Sequence, residues 1–279
     1  FWNWMIRILP YLEEGSLADQ LTINVTTPIT KDVGTNNAAV RATEIPVMLC
    51  PSDTGRNNPF IDVTHANTAW ARGNYGYNAF QFWPNEFWRN YTADPYFKYN
   101  LGMGGIEDGI DRQIMTLTKI TDGTTKTIML AEMRVGLTND DRRGVWAMGM
   151  CGSNFHCRQA AFVPNLCLSP NNVDDVYGGP SLANGLLAPE CMAPDPTTNA
   201  SGQSLVRSRH PGGANCAMAD ASVRFISDFI ESGTLATSED GYIDNKCNGS
   251  PCDQTMATSL GTWQRLNIPR DEFAIQYDY

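Results

Sequence analysis

The sequence predicts a β-rich α+β domain whose central sheet is mostly antiparallel and whose strands are joined by long loops. Glycine (24) and proline (16) are frequent among the 279 residues, and no long run of strong helix formers follows a 3.6-residue period. Short apolar runs bounded by turn sequences recur instead, which is typical of strands joined by loops. We therefore expect one domain over residues 1–279, with insertions at about 82–115 and 151–206.

Proline, glycine and turn residues divide the chain into short predicted elements. Pro10 and Gly15 interrupt the apolar pattern of residues 5–21, which indicates two short helical segments instead of one. Apolar or alternating runs predict strands at residues 45–50, 75–79, 127–133 and 144–148.

The charge and hydropathy of the chain exclude two classes of partner. Lys and Arg total 20 against 30 Asp and Glu, so the net charge of −10 repels nucleic acid and anionic lipid. No stretch of 18 residues is apolar enough to span a bilayer. We therefore expect no nucleic-acid partner and no membrane contact by this segment.

The eight cysteines indicate disulfides and a secreted, extracellular or cell-surface protein. Cys247 and Cys252 flank the turn sequence Asn-Gly-Ser-Pro, which predicts a disulfide between them. Cys151 with Cys157 is a second candidate pair. Cys151, His156 and Cys157 lack both a Cys-x-x-Cys knuckle and a second half-site, so we expect no metal there.

Aromatic residues are concentrated in residues 70–99, which hold 12 of the 28 in the chain. One strand and a loop cannot bury so many rings, so we expect some of them to contact a second copy of the chain or a surface glycan. The alternative is that they fold inward over the sheet. The interface or glycan candidates are Trp70, Trp83, Phe87 and Trp88.

The segment 208–226 predicts a β-hairpin. Gly212 and Gly213 form a turn before a strand, Asp220 and Ala221 form a tight two-residue turn, and a second strand returns. His210 and Asp220 lie at opposite ends of one predicted strand, so they cannot form a catalytic dyad with each other. We expect His210 to cap or pack at the hairpin entrance, with no catalytic centre around it.

These motifs resemble the pseudopilin-like proteins of planctomycete bacteria, which are marked by His, nine residues and Asp-Gly near the C-terminus. His210, Gly212, Gly213 and Asp220 match this motif, and Ala221 stands in place of its last glycine. Four other segments look like that family in the same order: residues 8–13, 49–53, 74–78 and 120–124.

The resemblance implies a pilin-like globular domain, usually preceded by a prepilin-type cleavage and methylation segment. The sequence begins at Phe1 without an initiator Met, and we interpret the chain as processed or truncated. The implied function is that of a non-enzymatic, secreted structural subunit of a cell-surface or extracellular filament, acting as a homo-oligomer. The alternative is a carbohydrate- or surface-binding module that uses the aromatic residues of 70–99.

Few residues indicate catalysis or cofactor binding. Glu132 lies among apolar neighbours of a predicted strand, where we expect an ion pair with Arg134 or Arg72 instead of a role as general acid. Residues 171–175 and 240–244 offer oxygen ligands for calcium without the spacing of an EF-hand, so calcium stays an alternative and no cofactor is expected. The glycosylation candidates are Asn24, Asn90, Asn199 and Asn248.

Overall fold

The computed structural model describes residues 3–21, 37–62, 68–79, 102–104, 115–149, 152–157, 163–167, 175–177, 188–191, 193–195, 205–233 and 260–275. The α-helices are α1 (Trp4–Ile8), α2 (Gly15–Asp19), α3 (Ala38–Ala42) and α4 (Thr262–Asn267). The strands are β1 (Phe60–Asp62), β2 (Thr68–Trp70), β3 (Tyr75–Asn78), β4 (Ile128–Glu132), β5 (Phe155–His156), β6 (Asp175–Tyr177), β7 (Ala193–Asp195), β8 (Gly213–Met218) and β9 (Val223–Ser227). No helix among these residues is long and apolar enough to cross a bilayer.

A five-stranded sheet in the order β5-β3-β4-β8-β9 forms the centre of the fold. Its neighbouring strands are antiparallel, except that β5 runs parallel to β3. Two smaller sheets pair β1 with β2 and β6 with β7. A disulfide joins Cys167 to Cys191 inside the predicted insertion at 151–206, a pairing that the sequence did not suggest. The predicted fold class, α+β with a mostly antiparallel sheet and a disulfide-tied insertion, is confirmed.

The N-terminal segment forms the two short helical pieces predicted from its breakers. Helix α1 begins after Asn3, whose side-chain oxygen accepts the backbone N–H of Ile6 at 3.0 Å. A 3-10 helix over Leu9–Leu12 follows, and α2 then begins at Gly15. This segment is anchored by the buried side chains of Met5, Leu9 and Leu17, which join one apolar cluster with Trp146.

Two of the four predicted strands are wrong, and each failure has a local cause. Pro46 fixes its own φ and has no N–H to donate to a strand partner, and residues Pro46–Met48 form a 3-10 helix. Residues 144–148 form turns, with one isolated bridge between Val145 and Arg72. Conversely, β5 lies within the predicted insertion at 151–206 but belongs to the central sheet.

The two faces of the sheet differ in how far they are covered. On one face, Ala131, Cys216 and Ile226 pack against Trp263 and Leu266 of helix α4. We call the opposite face the open face, because burial there decreases toward the edge strand β9. The side chains of the open face, assigned from the strand register, are Tyr75, Tyr77, Leu130, Glu132, Asn215, Ala217, Val223 and Phe225.

The predicted hairpin is confirmed as β8 and β9, but its turn is longer than two residues. The N–H of Ala221 donates to the carbonyl of Met218 at 3.0 Å, and the N–H of Met218 donates to the carbonyl of Ser222 at 2.8 Å. The connection therefore has three residues, 219–221, and Ala221 adopts a left-handed φ of 68°. The last residue of a three-residue hairpin loop usually adopts this left-handed conformation, and glycine is the residue most often found at that position.

We expect Ala221→Gly to increase the free energy of unfolding by about 0.5–1 kcal/mol, because glycine adopts a left-handed φ without the Cβ clash that strains alanine. Urea denaturation followed by circular dichroism measures the change. Ala219→Gly is the matched control, since Ala219 has an ordinary φ and should not gain stability from glycine. A loss of stability in Ala221→Gly would contradict the assigned strain.

Candidate functional site

The carboxylate of Asp53 is a buried charged group that accepts hydrogen bonds from four residues of separate segments. It accepts the backbone N–H of Gly55 at 3.3 Å and of Val135 at 3.0 Å, the side-chain amide of Asn74 at 2.9 Å, and Nε of Arg134 at 3.1 Å. Its side chain is fully buried. A charge can be held in such a position because these four donors replace the water that burial removes.

Asn74 extends this network to both neighbouring segments. Its side-chain oxygen accepts the backbone N–H of Cys50 at 2.8 Å, and its amide also donates to the carbonyl of Met133 at 2.9 Å. Its own backbone N–H donates to the carbonyl of Met48 at 2.8 Å. The motifs at 49–53 and 74–78 are therefore parts of one buried polar network that reaches the end of β4.

Cys50, Glu132 and His210 lie together next to this network, on the open face of the sheet. Nε2 of His210 is 3.1 Å from Oε1 of Glu132 and 3.8 Å from Sγ of Cys50. Glu132 also accepts the backbone N–H of Asn215 at 2.7 Å and the side-chain amide of Asn215 at 3.2 Å. These three side chains form the cluster that we call the Cys–Glu–His centre; their ligating atoms all lie within 4.8 Å of one another.

The sequence-based interpretation of Glu132 is wrong, because its partner is His210 and not an arginine. Arg134 instead pairs with Asp53 and, at 2.8 Å, with Glu190. Arg72 directs its guanidinium at backbone carbonyls, among them those of Asn58, Thr138 and Asp141. Burial lowers the pKa of Arg72 to about 10.

His210 therefore does more than pack at the hairpin entrance, and a carboxylate and a thiol both reach its ring. In a nucleophile–histidine–acid triad the acid and the nucleophile occupy opposite ring nitrogens. Here Glu132 and Cys50 both approach the same atom, Nε2. The acid and the nucleophile therefore do not lie on opposite sides of the ring, as a triad requires. The sulfur, the oxygen and the nitrogen instead face one point in space. The side chain of Ser208 fixes the start of the hairpin. Its hydroxyl accepts the backbone N–H of His210 at 3.0 Å and donates to the carbonyl of Gly213 at 2.7 Å.

The glycines and the aspartate of the hairpin motif have structural roles. Gly212 has a left-handed φ of 86°, and a Cβ on Gly213 would lie 2.2 Å from the carbonyl oxygen of Ile226. Both positions therefore require glycine. Asp220 accepts hydrogen bonds from Ser222, which lower the pKa of Asp220, and it lies far from His210 along the strand.

Most of the other candidates fall outside the described residues. Trp70 is fully buried with its ring under the guanidinium of Arg41 at 4.2 Å, so the ring is not offered to a partner or glycan in the single chain. Cys157 is disulfide-bonded, whereas the predicted pairings of Cys151 and of Cys247 with Cys252 stay predictions. The candidates outside the described residues are Cys151, Cys247, Cys252, Trp83, Phe87, Trp88, Asn24, Asn90, Asn199 and Asn248, together with the calcium segments 240–244 and most of 171–175.

Two acidic residues, Asp122 and Asp271, join the motif at 120–124 to the C-terminal segment. Asp122 accepts the backbone N–H groups of Asp271 at 2.7 Å and of Glu272 at 2.9 Å. The two carboxyl groups also interact with each other. Burial, and then the nearby carboxylate of Asp122, raise the pKa of Asp271 to about 8, and burial also raises the pKa of Asp122, so the pair holds a proton more tightly than two free carboxyl groups would.

This chain is an α+β protein with a mostly antiparallel sheet, a buried Asp–Asn–Arg network and an adjoining Cys–Glu–His centre. A family model described as "Protein of unknown function (DUF1559)" matches residues 1–233, and the chain belongs to that family. The matched range includes residues 8–13, 49–53, 74–78, 120–124 and 208–226 and all three residues of the Cys–Glu–His centre, whereas α4 lies beyond it. No curated protein and no solved structure matches the chain.

We expect Asp53→Asn to lower the free energy of unfolding by about 3–5 kcal/mol, since the variant removes one of the two carboxylates that pair with the buried Arg134 and places an amide NH2 group where an acceptor is needed. Chemical denaturation measures the loss. Asp140→Asn is the control, because Asp140 is exposed and should change stability by less than about 0.5 kcal/mol. Equal effects of the two variants would refute the central role of Asp53.

The Asp122–Asp271 pair predicts a pH dependence of stability. The pKa of Asp271 is raised in the folded chain, so the folded state holds this proton more tightly than the unfolded state between about pH 4 and about pH 8. The contribution of this bound proton to the free energy of unfolding is therefore complete below about pH 4, and it is lost as the pH rises toward about 8.

Asp271→Asn should remove this dependence, so the stability of the variant relative to the original chain should increase from about pH 5 to about pH 8. Denaturation curves recorded at several pH values give this difference directly. The control is Asp19→Asn, at an exposed position in α2, whose difference should not change with pH. A constant difference for Asp271→Asn would show that folding does not raise the pKa of Asp271.

Proposed function

We propose that this protein is a non-enzymatic, secreted, pseudopilin-like subunit of a cell-surface or extracellular assembly, and that it associates with copies of itself. The observation that carries the proposal is a set of exposed apolar side chains on the edge strand β9 and in the turn that follows it. Val223, Phe225 and Phe229 are 68%, 48% and 92% exposed. We call these three residues the edge patch. Large apolar side chains grouped on a surface are typical of sites where proteins meet.

The position of β9 favours contact with a second copy. Within the described residues, β9 pairs only with β8 and ends the sheet, so the hydrogen-bonding groups on its outer side are available. Natural proteins usually protect such an edge with charge, proline or a bulge. β9 carries one charged residue, Arg224, but its most exposed side chains are those of Val223 and Phe225, which suits antiparallel pairing of β9 with β9 of another copy across a two-fold axis.

Two further observations support a secreted, non-catalytic role. The disulfide between Cys167 and Cys191 is typical of proteins that mature in an oxidising compartment. The described histidine with acid and thiol neighbours, His210, meets both of them at one ring nitrogen, which is not the geometry of nucleophilic catalysis. The resemblance to pseudopilin-like proteins adds the expectation of a filament.

A carbohydrate- or surface-binding module is the second candidate. Tyr75 and Tyr77 lie two residues apart on the open face and are only half-buried, so their rings could extend an aromatic surface for a glycan. Tyr77 also packs against Trp4 and Phe155, which ties its ring to the core. The edge patch is farther from the core, and we therefore rank self-association first.

The test replaces Phe225 and Phe229 by aspartate, which puts charge into the proposed contact. The original chain should associate with increasing concentration in sedimentation experiments, and the double variant should raise the dissociation constant at least about tenfold, because apolar anchors at an interface centre contribute most of its affinity. Phe229→Asp alone should give part of this effect. Its side chain is almost fully exposed, so the variant should keep the fold.

Tyr11→Asp is the matched control, since Tyr11 is 86% exposed and lies in the N-terminal 3-10 helix away from β9. It should associate like the original chain. A chain that stays monomeric at all concentrations, or an equal effect of Tyr11→Asp, would contradict the proposal. Glycan-array binding by a monomeric chain would favour the second candidate instead.

A further inference from the structure

We propose that Cys50, Glu132 and His210 bind one divalent transition metal of the zinc class. The proposal is independent of self-association. It starts from the coincidence of three ligand types at one point: a thiol, a carboxylate and an imidazole whose ligating atoms all lie within 4.8 Å of one another. These are the three side-chain types that supply most zinc sites in proteins.

Two of the three ligand–ligand distances are close to those around a tetrahedral zinc ion, and the third, from Sγ of Cys50 to the carboxylate of Glu132, is within 4.8 Å. Zinc bonds of about 2.3 Å to sulfur and about 2.0–2.2 Å to nitrogen or oxygen place a sulfur and a nitrogen about 3.6 Å apart, and a nitrogen and an oxygen about 3.4 Å apart. Sγ of Cys50 is 3.8 Å from Nε2 of His210, and Nε2 is 3.1 Å from Oε1 of Glu132. Shifts of a few tenths of an ångström bring both pairs to these values.

The local charge also favours a cation. Glu132 is nearly buried, and within the described residues no lysine or arginine forms an ion pair with it. Arg134 and Arg209, the nearby arginines in sequence, are both engaged by Glu190. A buried carboxylate with only a histidine beside it is stabilised by a metal ion, and a thiolate ligand selects zinc or cobalt over calcium or magnesium.

Two asparagines hold the ligands in place. Asn215 donates two hydrogen bonds to the carboxylate of Glu132, which sets its orientation on the open face. Asn74 accepts the backbone N–H of Cys50 and is itself held by Asp53. Such outer partners fix the direction of metal ligands before the ion arrives. Asn74 and Asn215 are therefore positioning residues in this proposal.

The site would join distant parts of the chain and leave one position open. Cys50 and His210 are 160 residues apart in sequence, and Glu132 and His210 are 78 apart. Three protein ligands leave the fourth tetrahedral position to a water molecule, and the side chain of His210 is 32% exposed. The bound ion could therefore exchange with ions in solution. Metal binding would also stabilise the folded chain, because the unfolded chain does not assemble the three ligands.

Cobalt(II) titration of the metal-free full chain tests the proposal. We expect about one ion per chain, with the charge-transfer absorption of a cobalt–thiolate bond and the intense visible bands of tetrahedral cobalt, both abolished by zinc. Cys50→Ser should remove the thiolate absorption. His210→Gln and Glu132→Gln should keep that absorption but weaken binding by about a hundredfold or more, and Asn215→Ala should weaken it by about tenfold.

Cys216→Ser is the matched control, because Cys216 is the other free buried cysteine of the described residues and packs in the apolar cluster on the covered face. It should bind cobalt like the original chain. Loss of the thiolate absorption in Cys216→Ser, or its retention in Cys50→Ser, would overturn the proposal.

A measurement on the unmodified sequence does not depend on the folding of any variant. Zinc should slow alkylation of Cys50 at least about tenfold compared with the metal-free chain, as read from its peptide by mass spectrometry, since a metal-bound thiolate is withheld from the reagent. An unchanged rate for Cys50 would show that the Cys–Glu–His centre holds no metal.

Discussion

The buried carboxylate of Asp53 holds together segments that have little regular structure of their own. Its donors come from the 3-10 helix that follows it, from Asn74 before β3, and from Arg134 and Val135 after β4. The backbone of these segments leaves strand geometry near Asp53, so its N–H groups must be satisfied by a side chain. Asp53 thus joins the segment before β3 to the segment after β4 and, through Asn74, is linked to the backbone N–H of Cys50.

A second buried charged network satisfies backbone groups elsewhere in this loop-rich fold. Arg72 donates to the carbonyls of Asn58, Thr138, Asp141 and Arg143, and Arg143 is paired in turn with the buried carboxylate of Asp141. Planar guanidinium groups supply several donors from one side chain, so they replace the hydrogen bonds that a longer strand would provide. Buried charge in this protein is therefore a consequence of short strands.

The asymmetry of the sheet connects the two proposals. Helix α4 covers one face, and the open face carries both the Cys–Glu–His centre and the apolar residues of β9. Glu132 is opposite Asn215 in β8, and Asn215 is opposite Phe225 in β9, so the centre and Phe225 of the edge patch lie on one face of the sheet, two strands apart. A partner bound at β9 would consequently lie beside the site proposed for the metal.

Sequence patterns by themselves determined the elements whose cause is local. The alternation of β3 and β4, the breakers Pro10 and Gly15, and the glycines of the hairpin all act over a few residues, so these elements were predictable. The tertiary structure alone decided which motifs meet. Cys50, Glu132 and His210 are far apart in sequence, and their proximity depends on the strand order β3-β4-β8, which no local pattern encodes. For the same reason Glu132 was assigned to nearby arginines, although the fold turns those arginines toward Asp53 and the backbone and turns Glu132 toward a histidine on the next hairpin.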